Sequence, residues 1–190
     1  MKKPKLNIVT LGCSKNKVDS ERLAASLSHC YDIMHDSDKK SDVVIINTCG
    51  FIGDAKEESI DTILEYAELR KANKIKKLYV MGCLSQRYRK DLQNEIHEVD
   101  GFFGVESVSL IASQILRFSD SQVLRFSDLK YNHERDLSTP SHYAYLKISE
   151  GCNRRCAFCA IPLIRGEHVS VPMEDLIKEA GLLAKKGVKE

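Results

Sequence analysis

The 190-residue sequence has no tryptophan, 4 prolines, 10 glycines and 7% aromatic residues. Proline and glycine at that level exclude collagen-like and low-complexity chains. No charge of one sign dominates, since 29 Lys and Arg against 27 Asp and Glu leave +2. Residues 141–190 hold eight of the basic and six of the acidic side chains, so the first 140 are neutral overall. Such a balance gives no electrostatic reason for a nucleic-acid or membrane partner. Long apolar runs are missing as well: the apolar-rich stretch Leu6–Leu11 is six residues long, below a signal-peptide core or a membrane span. The expectation is a cytoplasmic protein. What is present, 43% hydrophobic and 29% charged residues, suits a globular chain with a real core.

The first 118 residues alternate short β-like runs with helical periodicity, which predicts an α/β fold: an open, doubly wound, mostly parallel sheet covered by helices. Strands are expected at 6–11 (LNIVTL), 31–35, 42–47 (DVVIIN), 77–81 (KLYVM) and 102–105. Helices are expected from Asp19 or Ser20 with Leu23, Ala24 and Leu27 inward, over 54–71 with Ile60, Ile63, Leu64 and Ala67 at helical spacing, over 85–93, and through Leu116. The β-branched run 42–47 reads as a central strand buried on both faces. No G-x-G-x-x-G follows the first strand, which argues against a flavin or nucleotide domain of flavodoxin type.

Residues 113–128 are a tandem octapeptide, SQILRFSD then SQVLRFSD. Two copies are too few for a solenoid, and the repeat reads as a duplication lengthening a linker, 119–141, or an edge strand. Beyond it, 142–148 (HYAYLKI) reads as a strand. A helix is expected from the turn at Pro172, with Leu176, Ile177, Ala180, Leu183 and Ala184 inward and Gly187 as a stop. One βα unit cannot bury its own strand edges, so 142–190 reads as the start of a second domain whose remainder is absent.

Seven cysteines, Cys13, Cys30, Cys49, Cys83, Cys152, Cys156 and Cys159, are an odd number for a reducing compartment. They point to metal or catalytic thiolates rather than disulfides. Cys152, Cys156 and Cys159 lie within eight residues as C-x3-C-x2-C, close enough to wrap one soft-metal centre. A cubane held by three thiolates keeps its fourth iron open. This spacing, with Phe158 directly before the last cysteine, resembles the signature of radical S-adenosylmethionine (SAM) enzymes. The resemblance implies that Cys152, Cys156 and Cys159 hold a 4Fe–4S cluster whose open iron binds SAM, with Phe158 near the SAM adenine. A zinc site completed by His168 is the alternative, at a spacing longer than the usual finger pattern. Arg154 and Arg155 read as a solvated pair.

Cys13, Cys49 and Cys83 each follow an expected strand and each adjoin a glycine, Gly12, Gly50 or Gly82. In a parallel sheet such positions share the edge where ligands bind, so the three thiols predict a second cluster site; the alternative is three small buried hydrophobes. Cys30 has no such setting and reads as core.

The segments TLGCSKNKVDSE (10–21), NTCGFIGDAKEES (47–59) and GCLSQRY (82–88) resemble the N-terminal domain of radical SAM methylthiotransferases. That resemblance covers essentially the whole chain and assigns 1–118 to the methylthiotransferase N-terminal domain and 142–190 to the start of the radical SAM domain. It implies a second 4Fe–4S cluster on Cys13, Cys49 and Cys83, carrying the sulfur to be inserted. The first two segments are closest to the RimO type, which adds a methylthio group to the β-carbon of an aspartate in small-subunit ribosomal protein S-twelve. The alternatives are the tRNA type, acting on isopentenyladenosine, and an inactive metal-binding fragment. The implied partners are protein S-twelve, free or in the ribosome, and an electron donor such as flavodoxin or ferredoxin, without direct nucleic-acid binding by this segment. Little turnover is expected of the 190 residues alone.

Overall fold

The computed structural model describes residues 3–105, 108–118 and 133–190. Five strands form one sheet: β1 (Lys5–Thr10), β2 (Asp32–His35), β3 (Val43–Thr48), β4 (Lys77–Gly82) and β5 (Gly101–Phe102), in the order β2-β1-β3-β4-β5. All neighbours are parallel. β3 is buried at all six positions, as a central strand covered on both faces must be. Because strand side chains alternate, its odd and even residues serve two cores. Val43 and Ile45 join Leu6, Ile8, Tyr79 and Met81 under α1 (Ser14–Leu27) and α4 (Val108–Phe118). Val44 and Ile46 join Leu78 and Val80 under α2 (Gly53–Lys71) and α3 (Cys83–Glu95). The fold is the expected doubly wound α/β sheet.

Beyond residue 132 come β6 (Ser149–Glu150), α5 (Ile161–Arg165), β7 (Val169–Ser170) and α6 (Met173–Lys185), with β6 and β7 antiparallel. Among the described residues no helix is long and apolar enough to cross a membrane.

Several boundaries depart from the sequence expectation. α1 begins at Ser14 rather than at Asp19 or Ser20, because both residues make tertiary contacts inside the helix. Asp19 pairs with Lys147 at 2.7 Å, and Ser20 Oγ accepts hydrogen bonds from Thr10 and Asn47. β5 ends at Phe102, short of the expected 102–105. Residues 142–148 form no strand; their backbone bonds are isolated rather than a ladder, His142 O accepting from both Lys189 and Glu190 N–H and Ile148 O from Val171 N–H. α6 turns a different face inward: Glu179 and Leu183 are buried, whereas Ile177, Ala180 and Ala184 are exposed. The reason is electrostatic, since two arginines draw Glu179 in, Arg22 at 2.6 Å and Arg135 at 3.2 Å. In α2, Ile63 and Ala67 are buried while Ile60 and Leu64 are exposed. α4 ends at Phe118, two residues past the expected helix through Leu116, and takes in the first six residues of the octapeptide repeat, of which 119–128 lie outside the described residues.

Asp100, ahead of β5, ties the far end of the sheet together. Its carboxylate accepts hydrogen bonds from Lys77 Nζ at 2.7 Å, Leu78 N–H at 2.9 Å and Arg70 Nε at 3.1 Å. Burial pushes the carboxyl up, but these donors outweigh it and hold the group below the usual carboxylate range. A lowered folded pKa means stability that is full above the unfolded value, about 4, and lost as pH falls through the folded one. The urea midpoint is therefore expected to drop on acidification from about pH 5. In Asp100→Asn that drop should be shallower and the stability at pH 7 lower by about 1–2 kcal/mol, because Arg70 and Lys77 are partly solvated. Parallel pH curves for the two proteins would contradict this.

Candidate functional site

In the order β2-β1-β3-β4-β5 the chain winds both ways from β1, so the crevice outside the carboxyl ends of β1 and β3 is the topological switch point of the sheet. Cys13 follows β1 after two residues, and Cys49 and Cys83 directly follow β3 and β4. Three adjacent strands thus deliver the three thiols to one edge. Two of them also stand at a helix start, Cys13 at the cap position of α1 and Cys83 as the first residue of α3, whereas Cys49 lies in the loop three residues before the α2 cap, Ile52. None of these caps carries a side-chain hydrogen bond to the exposed amides. Helix N-termini hold partial positive charge and favour a thiolate.

Close backbone approach brings the segments together. A Cβ on Gly12, where φ is +86°, would lie 2.6 Å from Cys49 Cβ and 2.9 Å from its Sγ. Asn16, fully buried, ties the three segments to one side chain. Its Nδ2 donates to Leu11 O at 2.9 Å and Thr48 O at 3.1 Å, and its Oδ1 lies 3.9 Å from Cys83 Sγ. Cys49 N–H donates to Ser59 Oγ at 3.0 Å. Cys49 and Cys83 are buried and Cys13 is exposed, so the site opens to solvent on the Cys13 side. Burial pushes the Cys83 thiol up, the Arg165 guanidinium beside it opposes this, and the Cys49 and Cys13 thiols reinforce it.

The second trio lies on the loop between β6 and α5, whose neck is closed by Cys152 N–H donating to Gly166 O at 3.1 Å. Cys159 N–H donates to Cys156 O at 3.1 Å. Cys156 is exposed and Cys152 and Cys159 are half-buried; Phe158 is 92% exposed. Arg154 and Arg155 are exposed, and the His168 ring lies 3.3 Å from Ser170 Oγ. Cys30, outside both groups, packs against the α1/α4 core, and burial pushes its thiol up.

Among the described residues, no three His, Cys, Asp or Glu side chains converge tightly enough for a single metal ion. Thiols that bind different irons of one cube stand further apart than ligands of a single ion, and sulfur donors suit iron–sulfur centres. The first trio fits such a group on its donor set, its shared edge and the positive helix ends around it.

Sequence reasoning did not find Arg165 or Asn16. Arg165 lies in a five-residue helix, too short to show a periodic face, yet it is buried and donates to Cys83 Sγ at 3.3 Å and Asn16 Oδ1 at 2.6 Å. Asn16 carries no signal beyond being a polar residue beside a cysteine.

Fold and thiol edge together define an α/β domain whose switch point is lined by cysteine rather than by a phosphate-binding loop. Residues 5–104 match the uncharacterized protein family UPF0004, and the chain belongs to that family. It is 52% identical over 192 residues to a protein of Phocaeicola vulgatus named ribosomal protein uS12 methylthiotransferase RimO, covering 100% of this chain and 43% of that protein. Proteins of the same name from Cytophaga hutchinsonii, 52% identical over 194 residues, and Bacteroides fragilis, 50% identical over 196, match 99% and 100% of this chain and 42% and 43% of their own lengths. The chain thus spans less than half the length of these curated relatives.

Proposed function

We propose that this chain carries the cysteine sites of a radical SAM methylthiotransferase that inserts a methylthio group at the β-carbon of an aspartate in ribosomal protein uS12. The observation that carries the reading is the whole-length similarity to relatives named for that activity, together with three cysteines on one edge of the sheet. Those names favour uS12 over the tRNA substrate. In this reading 1–118 are the methylthiotransferase N-terminal domain, 119–141 a linker and 142–190 the start of the radical SAM domain. Cys13, Cys49 and Cys83 would hold one 4Fe–4S cluster and Cys152, Cys156 and Cys159 another, with Phe158 beside the SAM adenine. When bound, these groups supply single-electron cleavage of SAM and a sulfur to be methylated and transferred.

The chain's own residues prepare for that chemistry. Thiols must lose their protons to bind iron, and the Arg165 guanidinium beside Cys83 supplies positive charge at one of the three sulfurs of the first trio. Opposite sides of the site differ: Cys49 and Cys83 are shielded from water, and Cys13 faces the approach of a reactant. An electron donor such as flavodoxin or ferredoxin and a cytoplasmic location belong to the same proposal.

Anaerobic reconstitution is expected to give about eight irons per chain in two cubane signals. Replacing Cys152, Cys156 and Cys159 by Ala is expected to leave about four, as is replacing Cys13, Cys49 and Cys83. Iron, sulfide and zinc analysis beside electron paramagnetic resonance checks both. A protein holding zinc alone overturns the reading.

A further inference from the structure

Arg165 belongs to the segment of the second cysteine loop, six residues after Cys159, yet its guanidinium sits in the first thiol site. It is 7% exposed. A cation that deep is costly unless it is matched and hydrogen-bonded. Its partners come from both sides: Cys83 Sγ at 3.3 Å and Asn16 Oδ1 at 2.6 Å from the sheet domain, Asp19 at 3.4 Å from α1, and Glu150 at 2.8 Å from β6. Asn16 is fixed by its bonds to Leu11 O and Thr48 O, so its Oδ1 has little freedom to turn from Arg165. Two lysines complete the group: Lys147 holds Asp19 and Glu150, and Lys15 lies 3.5 Å from Glu150. Three cations, Arg165, Lys147 and Lys15, thus meet two carboxylates, Asp19 and Glu150. Of the three cations, Arg165 is the one in contact with Cys83.

We propose that Arg165 is a positioning residue through which the second cysteine loop acts on the first thiol site, fixing Cys83 and offsetting the negative charge of the sulfur ligands there. The proposal rests on the first trio being a cluster site. Two roles follow from one side chain. The forked guanidinium bridges Cys83, Asn16 and Glu150 and so locks the loop to the sheet edge; its charge favours the more negative, reduced state of a cluster on Cys13, Cys49 and Cys83. Lysine supplies a point charge without the fork, so Arg165→Lys separates the roles.

The test uses the chain with Cys152, Cys156 and Cys159 replaced by Ala, so that iron binds only at the first trio. Arg165→Gln is expected to shift the midpoint potential of that cluster to a more negative value, read by potentiometric titration with electron paramagnetic resonance, and Arg165→Lys to restore most of it. In the iron-free chain with all its cysteines, hydrogen exchange at the amides of 83–86 and of Cys152 is expected to speed up several-fold in both Arg165 variants and to stay unchanged in Arg154→Gln. An unchanged potential, or a shift that lysine does not restore, overturns the charge role. Unchanged exchange overturns the docking role. If no cluster forms on the first trio, the functional reading fails, and the exchange comparison still decides whether Arg165 docks the loop.

Discussion

Replacing Arg135 by methionine is expected to cost about 3–5 kcal/mol of stability. Arg135 is 1% exposed, and its guanidinium contacts Glu21 and Glu179, which are equally buried. Glu21 also accepts from Ser138 N–H at 2.9 Å and Ser138 Oγ at 2.8 Å, and Glu179 from Arg22 at 2.6 Å. Every polar atom of the cluster is used, which is the condition under which buried charge is tolerated. Methionine fills the volume and removes the positive charge, leaving two carboxylates with too few donors. Because Glu21 lies on α1 and Glu179 on α6, the damage should loosen the segment 133–190 from the sheet. Urea denaturation measures the loss, and adding Glu21→Gln and Glu179→Gln should recover a large part of it as the stranded charges disappear. A loss below about 1 kcal/mol would mean that the cluster is solvated and contributes as surface pairs do.

Gly82→Ala is expected to cost about 2–4 kcal/mol, combining a strained backbone with a collision. Gly82 has φ of +99°, outside the range of ordinary side chains. A Cβ there would meet Asn47 Oδ1 and Thr48 O, both at 2.5 Å, and Thr48 N at 2.9 Å. Two of these are backbone atoms of the central strand and cannot swing away. Asn47 Oδ1 is already buried without a hydrogen-bond partner among the described residues, so a methyl group against it adds no compensation. The next residue is Cys83, and the shift needed to admit the methyl moves that thiol off the shared edge. Iron bound by the first trio should therefore fall while that of the second trio is kept. Gly53→Ala is the control: it opens α2 with nothing within 4 Å of the added carbon, and should leave stability and iron unchanged. Equal behaviour of the two variants would dismiss the steric account.

The sheet was legible because its central strands are short apolar runs, β-branched in β3, bounded by polar residues and glycine. DVVIIN and KLYVM needed no tertiary information, and the three cysteines could be assigned to one edge once the strands were parallel. Helix starts were less legible. Asp19 and Ser20 have the chemistry of caps, but long-range partners, Lys147 and Asn47, take them inside α1. On α6 the apolar stripe misleads for the same reason: the ion pairs of Glu179 with Arg22 and Arg135 rotate the helix so that Ile177 faces out. Arg165 and Asn16 were invisible, since their mutual contact and their contacts with Cys83 join residues more than 60 apart in sequence. Polar networks closed by tertiary contact leave no periodic trace.

Asn16, which joins the Leu11, Thr48 and Cys83 segments, also sets an order on maturation. Cys13, Cys49 and Cys83 are separated by 36 and 34 residues, and their sulfurs meet only after β1, β3 and β4 have paired. Cys152, Cys156 and Cys159 need no such assembly, since one short loop contains them. On the proposed cluster assignment, one trio would be available to iron before the sheet forms and the other only once the sheet is finished. Occupancy of the edge site would then be a record of correct folding, and occupancy of the loop site would not.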